Sequence, residues 1–100
     1  MKVDKKDICK NLPKKGFKRE EDKHHIYFHH KYNGKDTGVY TYVSHGSKMR
    51  EYSGRLITEL RKQLKLDSNQ DTCDLINCPM DEETYISILK NKGLVVDDQN

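Results

Sequence analysis

The sequence has no long apolar run, and from this absence we expect no membrane-spanning segment. No stretch approaches the ~20 apolar residues that a transmembrane helix needs, and 35% of the residues are charged against 33% hydrophobic. Residues 1–6 carry charges with no apolar core behind them, so we expect no signal peptide. A chain of 100 residues with this composition holds one small core. The sequence predicts a cytoplasmic protein with no membrane partner.

Cysteine is scarce, with three residues in the chain. An odd number of cysteines without an export signal predicts reduced thiols rather than a disulfide framework. Cys73 and Cys78 have four residues between them and no second ligand pair at zinc-finger spacing. We therefore expect both to be small core residues and predict no metal site there.

Acidic residues are under-represented in the first two-thirds of the chain. Residues 1–66 hold 17 of the 19 Lys and Arg but 8 of the 16 Asp and Glu, a balance of +9, whereas residues 67–100 carry −6. A positive field of this size attracts polyanions such as nucleic acid. We divide the chain into a basic domain at 1–66 and an acidic extension at 67–100. The alternative is that the lysines only keep a small protein in solution.

The hydrophobic pattern predicts an α+β fold with a three-stranded antiparallel sheet packed on one side. The expected elements are a helix at Asp4–Leu12, strands at Phe17–Glu20, His24–Tyr32 and Val39–His45, a helix capped by Ser53, a linker at Asp67–Asn77 and a helix at Glu82–Lys92. Gly16 is the expected left-handed cap of the first helix, and Asn33–Gly38 is the expected hairpin loop.

Alternation along the predicted strands sorts their side chains onto two faces. Ile26 and Phe28 are expected to enter the core together with Val39 and Val43. On the same alternation, His25, Tyr27 and His29 lie on the opposite face of the second strand. Tyr40 and Tyr42 lie on the solvent face of the third strand.

Five histidines are an enrichment in a chain of this length, so metal binding is tested first. Residues five apart on a strand fall on opposite faces, which separates His24 from His29. His25 and His29 share a face but are ~13 Å apart at ~3.3 Å per residue. Zinc needs ligand nitrogens ~2.0–2.1 Å from the metal. We therefore predict no metal and no other cofactor.

Proton transfer is the other use of histidine. His24 opens one predicted strand and His45 closes its antiparallel neighbour, so their pairing brings both residues to one edge of the sheet. Two imidazoles there can deprotonate a ribose 2′-hydroxyl and protonate a leaving oxygen. The candidate phosphate-holding residues around them are Lys14, Lys15, Lys18, Arg19, Lys23, Lys48 and Arg50. The alternative is that histidines at strand ends only contact solvent.

Four stretches of the chain form a pattern that is found in one known family. They are the opening helix with Lys15-Gly16-Phe17, then His24-His25-Ile26-Tyr27, Val39–His45, and Leu60-Arg61-Lys62-Gln63-Leu64. Together, residues 5–66 resemble the HicA toxin family of small basic toxins that cleave mRNA. Where this chain has Asp22-Lys23, the family has Gly-Ser before its histidine. We expect the Asp22 carboxylate to repel a phosphate and Lys23 to offset that repulsion.

The resemblance implies a double-stranded-RNA-binding-domain-like (dsRBD-like) α-β-β-β-α fold, to which this chain adds a C-terminal helix. It also implies a metal-independent endoribonuclease, an mRNA interferase of a toxin-antitoxin pair. His24 takes the position of the catalytic histidine, with His25 as the adjacent candidate. RNA and a HicB-like antitoxin are the partners that the resemblance implies.

Two alternatives remain from the sequence. The protein can be a non-catalytic RNA-binding module with Tyr40 and Tyr42 available for stacking, or a protein-interaction domain whose charge is incidental. The acidic extension, likewise, either folds over the basic face and weakens RNA binding, or packs Tyr85, Ile86 and Leu89 elsewhere on the domain.

Overall fold

The chain forms a mixed α+β structure around one small antiparallel sheet. It is described by a computed structural model for residues 1–46 and 50–96. The elements are β1 (Lys2–Asp4), α1 (Lys5–Asn11), a 3₁₀ helix (Leu12–Lys15), β2 (Phe17–Glu21), β3 (His25–Tyr32), β4 (Lys35–Ser44), β5 (Glu51–Ser53), α2 (Arg55–Leu64), α3 (Asn69–Asn77) and α4 (Glu82–Asn91). Within these ranges, no helix is long and apolar enough to cross a bilayer.

The main sheet has the order β2-β3-β4, with both pairs antiparallel as the sequence predicts. Asn33 and Gly34 form the turn between β3 and β4 with φ values of 53° and 77°, positive angles that these residue types tolerate. The prediction of a loop extending to Gly38 is wrong, because β4 already begins at Lys35. A bulge after His29 shifts the register there, and Gly38 adopts a φ of 84° beside it.

The core lies between one face of this sheet and the helices. Ile26, Phe28, Val39 and Val43 are all buried, as strand alternation predicts. From α2, the residues at helical spacing that cover them are Ile57, Leu60 and Leu64. The same hydrophobic cluster continues into the acidic extension through Leu75, Ile76, Tyr85 and Leu89. Residues from both parts of the chain therefore share one core.

The chain between α1 and β2 turns as predicted at Gly16, which has a φ of 90°. A Cβ atom at this position would also lie 3.3 Å from the Nε2 atom of His30 and closer still to the Glu82 carboxylate. Glycine is required here both for the backbone angle and for the space. Pro13 lies in the 3₁₀ helix that directly follows α1.

A second, two-stranded sheet was not expected from the sequence. Ser53 was predicted as a helix cap, but Glu51–Ser53 pairs antiparallel with Lys2–Asp4, and Tyr52 is buried. Ser53 therefore does not cap α2, whose N-cap position is Gly54 with no side-chain cap bond. Strands of three residues are too short to carry a recognisable alternation.

The predicted linker at Asp67–Asn77 is wrong, because Asn69–Asn77 is the helix α3. The Ser68 hydroxyl caps it by accepting from the Asp71 amide at 3.0 Å. Cys73 is buried as expected, but Cys78 is exposed at the C-cap with a φ of 85°, so its predicted core position is wrong. The predicted last helix is confirmed as α4, capped by Asp81, which accepts from the Thr84 amide at 2.8 Å.

Candidate functional site

His24 and His45 meet at the edge where β3 begins and β4 has just ended. The His45 amide donates to the His24 carbonyl at 2.9 Å, which continues the ladder past the last strand pair, His25 with Ser44. Both residues are exposed. The antiparallel pairing that the sequence predicts is therefore present, and it holds two titratable side chains on adjacent backbone segments.

Asp22 closes the tight turn from β2 into β3. Its Oδ1 atom accepts from the amides of His24 and His25, each at 2.8 Å. These two backbone hydrogen bonds lower the pKa of the Asp22 carboxyl below its usual value. The residue that departs from Gly-Ser at this position thus has a structural role, because it orders the backbone that carries both histidines.

Glu21 is the residue of this site that sequence reasoning missed. Its carboxylate binds the Arg19 guanidinium, with the Nε atom at 2.9 Å from Oε1, and its Oε2 atom lies 3.5 Å from the His45 Nε2 atom. The hydrogen bond from Arg19 is the main cause that lowers the pKa of Glu21. The Glu21 carboxylate thus contacts both the Arg19 guanidinium and one ring nitrogen of His45.

A basic cleft of about 560 Å³ lies beside this edge. Its lining residues are Asp4, Lys5, Lys6, Cys9, Arg19, Arg50 and Glu51. Even with Glu21, which pairs with Arg19, counted beside the two carboxylates of the lining, the four cationic side chains are in excess, so the cleft favours an anion. Burial raises the pKa of the Cys9 thiol. The thiol therefore lines the cleft in its protonated form and does not act as a nucleophile.

The structure distributes the predicted phosphate-holding residues unevenly. Arg19 and Arg50 line the cleft, Lys23 lies in the turn before His24, and Lys14 is exposed on the 3₁₀ helix. Lys18 pairs with His29 across β2 and β3 and so lies on the other face of the sheet. Lys48 lies outside the described residues.

Lys15 differs from the other predicted phosphate-holding residues because it is buried, with 5% of its surface exposed. Its Nζ atom donates to the Leu75 carbonyl at 3.0 Å and also to the Met80 carbonyl. It therefore joins the 3₁₀ helix to the acidic extension. The expectation that Lys15 faces a phosphate does not fit this position.

His25 is separated from the cleft by strand alternation. It lies on the solvent face of the sheet in a group of five rings that we call the aromatic face: His25, Tyr27, His29, Tyr40 and Tyr42. Neighbouring ring centroids in this group are 5.1 Å (His25 to Tyr42) to 5.9 Å (Tyr27 to His29) apart. The two adjacent histidines thus have different surroundings, although their ring centroids are 6.5 Å apart.

His30 is a core residue and takes no part in the exposed site. Its Nδ1 atom lies 3.1 Å from the Thr37 hydroxyl, and its ring packs edge-on against Phe17 and Tyr85. Burial lowers its pKa to about 4, so the ring is neutral near neutral pH.

Metal ligation finds no geometric support in residues 1–46 and 50–96, where no three His, Cys, Asp or Glu side chains converge. No protein-family model, curated protein or solved structure matches this chain.

Proposed function

We propose that this protein is a HicA-like toxin, a cytoplasmic endoribonuclease that cleaves mRNA by histidine acid-base catalysis without a metal. The observation that carries the proposal is the backbone bond of 2.9 Å between His45 and His24. It holds two proton-transfer groups at one edge, next to a cleft lined by Arg19 and Arg50. A HicB-like antitoxin is the partner that this proposal implies.

The order of elements supports the proposal. From α1 to α2, the main elements are a helix, the three strands of the antiparallel sheet and a second helix, which is the order that the proposed dsRBD-like fold requires. The short β1–β5 pair and the helices α3 and α4 are additions to that order. The net charge of +9 on residues 1–66 supports a polyanionic substrate.

In the proposed reaction, one histidine of the pair takes the proton of a ribose 2′-hydroxyl. The 2′-oxygen then attacks the adjacent phosphorus, and the bond from phosphorus to the 5′-oxygen breaks. The second histidine donates a proton to that leaving oxygen, which gives a 2′,3′-cyclic phosphate and a 5′-hydroxyl end. Arg19 and Arg50 offset the charge that develops on the phosphate oxygens, and Glu21 positions His45.

The test is cleavage of a mixed-sequence single-stranded RNA in EDTA, which removes any metal-dependent route. We expect His24→Ala and His45→Ala each to lower the rate roughly 10²–10⁴-fold, the usual contribution of one acid-base group. Asn91→Ala, at the far end of α4, is the control variant. The cleavage rate of His25→Ala is measured in the same assay. A loss of cleavage confined to that variant would assign the catalytic role to His25 instead of His24.

A non-catalytic RNA-binding module is the second candidate. It is favoured by Asp22, which stands in the turn next to His24 and adds a carboxylate where a phosphate has to approach. RNA that stays intact with the wild-type protein, but binds with strong dependence on salt, would select this candidate over the nuclease. Absence of salt-dependent RNA binding would exclude both candidates.

A further inference from the structure

The aromatic face is exposed at Tyr40 and Tyr42, whereas its three β3 rings, His25, Tyr27 and His29, are half-buried. Tyr40 and Tyr42 retain 45% and 40% of their accessible surface. Tyr27 lies opposite Tyr42 and His29 lies opposite Tyr40 in the β3–β4 register, so the rings form two adjoining rows. The Tyr27 and His29 rings are inclined by 20°, and the His29 and Tyr40 rings by 25°. The rings of Tyr27, His29 and Tyr40 are therefore nearly parallel, whereas the His25 ring is inclined by 53° to that of Tyr27 and by 88° to that of Tyr42.

The charges around the aromatic face are divided between its two sides. Lys62 and Lys65 of the α2 end, both exposed, line a recess with Tyr40 and Gly38. The exposed Glu59 of α2 lines a further recess with His25 and Tyr42 on this side. On the opposite side, Lys18 of β2 lies next to His29, but the carboxylates of Glu20, Glu21 and Asp22 line a recess with Tyr27, His29 and Tyr40. A bound polyanion would therefore have its phosphates on the α2 side.

We propose that the aromatic face is a stacking platform for the unpaired bases of single-stranded RNA, with the sugar-phosphate backbone along Lys62 and Lys65. This inference rests on the proposed function only in taking RNA as the ligand, and it does not require cleavage. His25 belongs to the platform, and its ring centroid lies 6.5 Å from that of His24, so the platform ends beside the edge that carries His24 and His45.

The chemistry of the rings favours an unpaired strand over a duplex. Stacking needs a free base surface, which single strands offer and a double helix hides. Duplex RNA is bound mainly through its phosphates and 2′-hydroxyls over a wide surface. Aromatic rings do not provide these contacts. The sheet is three strands wide, about 10 Å between its outer strands at ~4.8 Å spacing, which accommodates one strand of bases.

The test is binding of a short fluorescein-labelled 2′-O-methyl RNA, measured by anisotropy. The methyl group blocks the 2′-oxygen as a nucleophile, so this RNA is not cleaved by the proposed reaction. We expect Tyr42→Ala and Tyr40→Ala each to weaken binding about tenfold, since a lost stacking contact costs ~1–3 kcal/mol. Tyr42→Phe and Tyr40→Phe keep the ring and should keep the affinity. Leu94→Ala, which truncates a side chain of similar exposure outside the platform, is the matched control.

The outcomes separate this inference from the proposed function. Preference for the single strand over the same sequence as a duplex, with loss in the alanine variants only, supports it. Salt-dependent RNA binding that is unchanged in the alanine variants, or equal for the duplex, overturns the platform and leaves the proposed function standing. A change in oligomeric state in the alanine variants without any change in RNA affinity would assign the face to a protein contact instead. No binding to either RNA would overturn both proposals.

Discussion

Glu21 connects Arg19 to His45, and under the proposed function this contact predicts an effect of one side chain on the rate of RNA cleavage. Glu21→Gln keeps the size of the side chain but removes the charge that restrains the His45 ring. We expect kcat for RNA cleavage to fall roughly tenfold with KM unchanged, because Glu21 acts through the histidine and not on the substrate. The measurement is steady-state cleavage of the single-stranded RNA.

The control for this prediction is Glu83→Gln, which removes the same charge from an exposed position on α4. It separates a specific effect on His45 from a general increase in RNA attraction. An equal change in kcat for both variants would contradict the positioning role of Glu21.

Lys15 and Lys14 are neighbours with opposite surroundings, so they form a matched pair for stability. Lys15→Ala removes a buried amine that donates to the carbonyls of Leu75 and Met80. We expect the free energy of unfolding to fall by about 2 kcal/mol, because two buried acceptors lose their partner and a cavity remains. Lys14→Ala should change it by less than about 0.5 kcal/mol. Urea denaturation measures both, and equal midpoints would contradict the structural role of Lys15.

Some site residues could be predicted from the sequence, and others could not. His24 and His45 follow from strand order alone, because antiparallel pairing fixes which strand ends meet. Glu21 has no such signature, since its role depends on where one carboxylate points after β2 has paired. Lys15 was predicted to hold a phosphate but is buried. Net charge predicts a basic surface, but it does not predict which amine a later part of the chain covers.

His30 joins three elements, and its burial gives the packing of β3 against β2 and α4 a pH dependence. Its ring contacts Phe17 of β2 and Tyr85 of α4, with the Thr37 hydroxyl at Nδ1, and the Glu82 carboxylate also lies beside Gly16. Its pKa is lowered to about 4 by burial, which the nearby Asp36 carboxylate partly opposes. The neutral ring is thus the form that the folded state accommodates.

The sign of the effect follows from proton binding. An unfolded histidine titrates near pH ~6.5, so between that value and about 4 the unfolded chain binds the additional proton. The stability that neutral His30 contributes is complete above pH ~6.5 and is lost as pH falls toward 4. We expect the urea midpoint to fall between pH 7 and pH 5, and to fall less in His30→Gln. Equal slopes in the two proteins would contradict this assignment.

At the scale of elements, the long segments were predictable and the short ones were not. Phe28 and Val43 lie in strands of eight and ten residues, where alternation is visible in the sequence. In contrast, β5 has three residues, and α3 has Asn, Gln, Asp and Thr in its first turn. Their formation depends on partners distant in sequence, β1 for β5 and the core for α3, which no local pattern contains.

At the scale of the whole molecule, the acidic extension is part of the structure that carries the basic surface. Asn11 of α1 donates to the Ile76 carbonyl at 2.7 Å, and the Tyr85 hydroxyl donates to the Leu64 carbonyl at 2.7 Å. Tyr85 and Leu89 are fully buried, as the sequence-based alternative of a packed helix requires, whereas Ile86, predicted to pack with them, is only half-buried. The division of the chain by charge is therefore not a division of its core. The +9 and −6 segments both contribute to a single hydrophobic cluster.

Truncation after Leu66 tests this shared core. It would expose Ile8, Leu12 and Phe17, which are buried in the same cluster as Leu75, Ile76, Tyr85 and Leu89. Burial of one large apolar side chain contributes ~1.5–3 kcal/mol, and a whole small domain is stable by only ~5–15 kcal/mol. We therefore expect residues 1–66 alone to lose cooperative thermal unfolding, measured by circular dichroism. A sharp transition in the truncated chain would show that the extension is an accessory, and a gain in its RNA affinity at low salt would then assign the extension to masking the basic face.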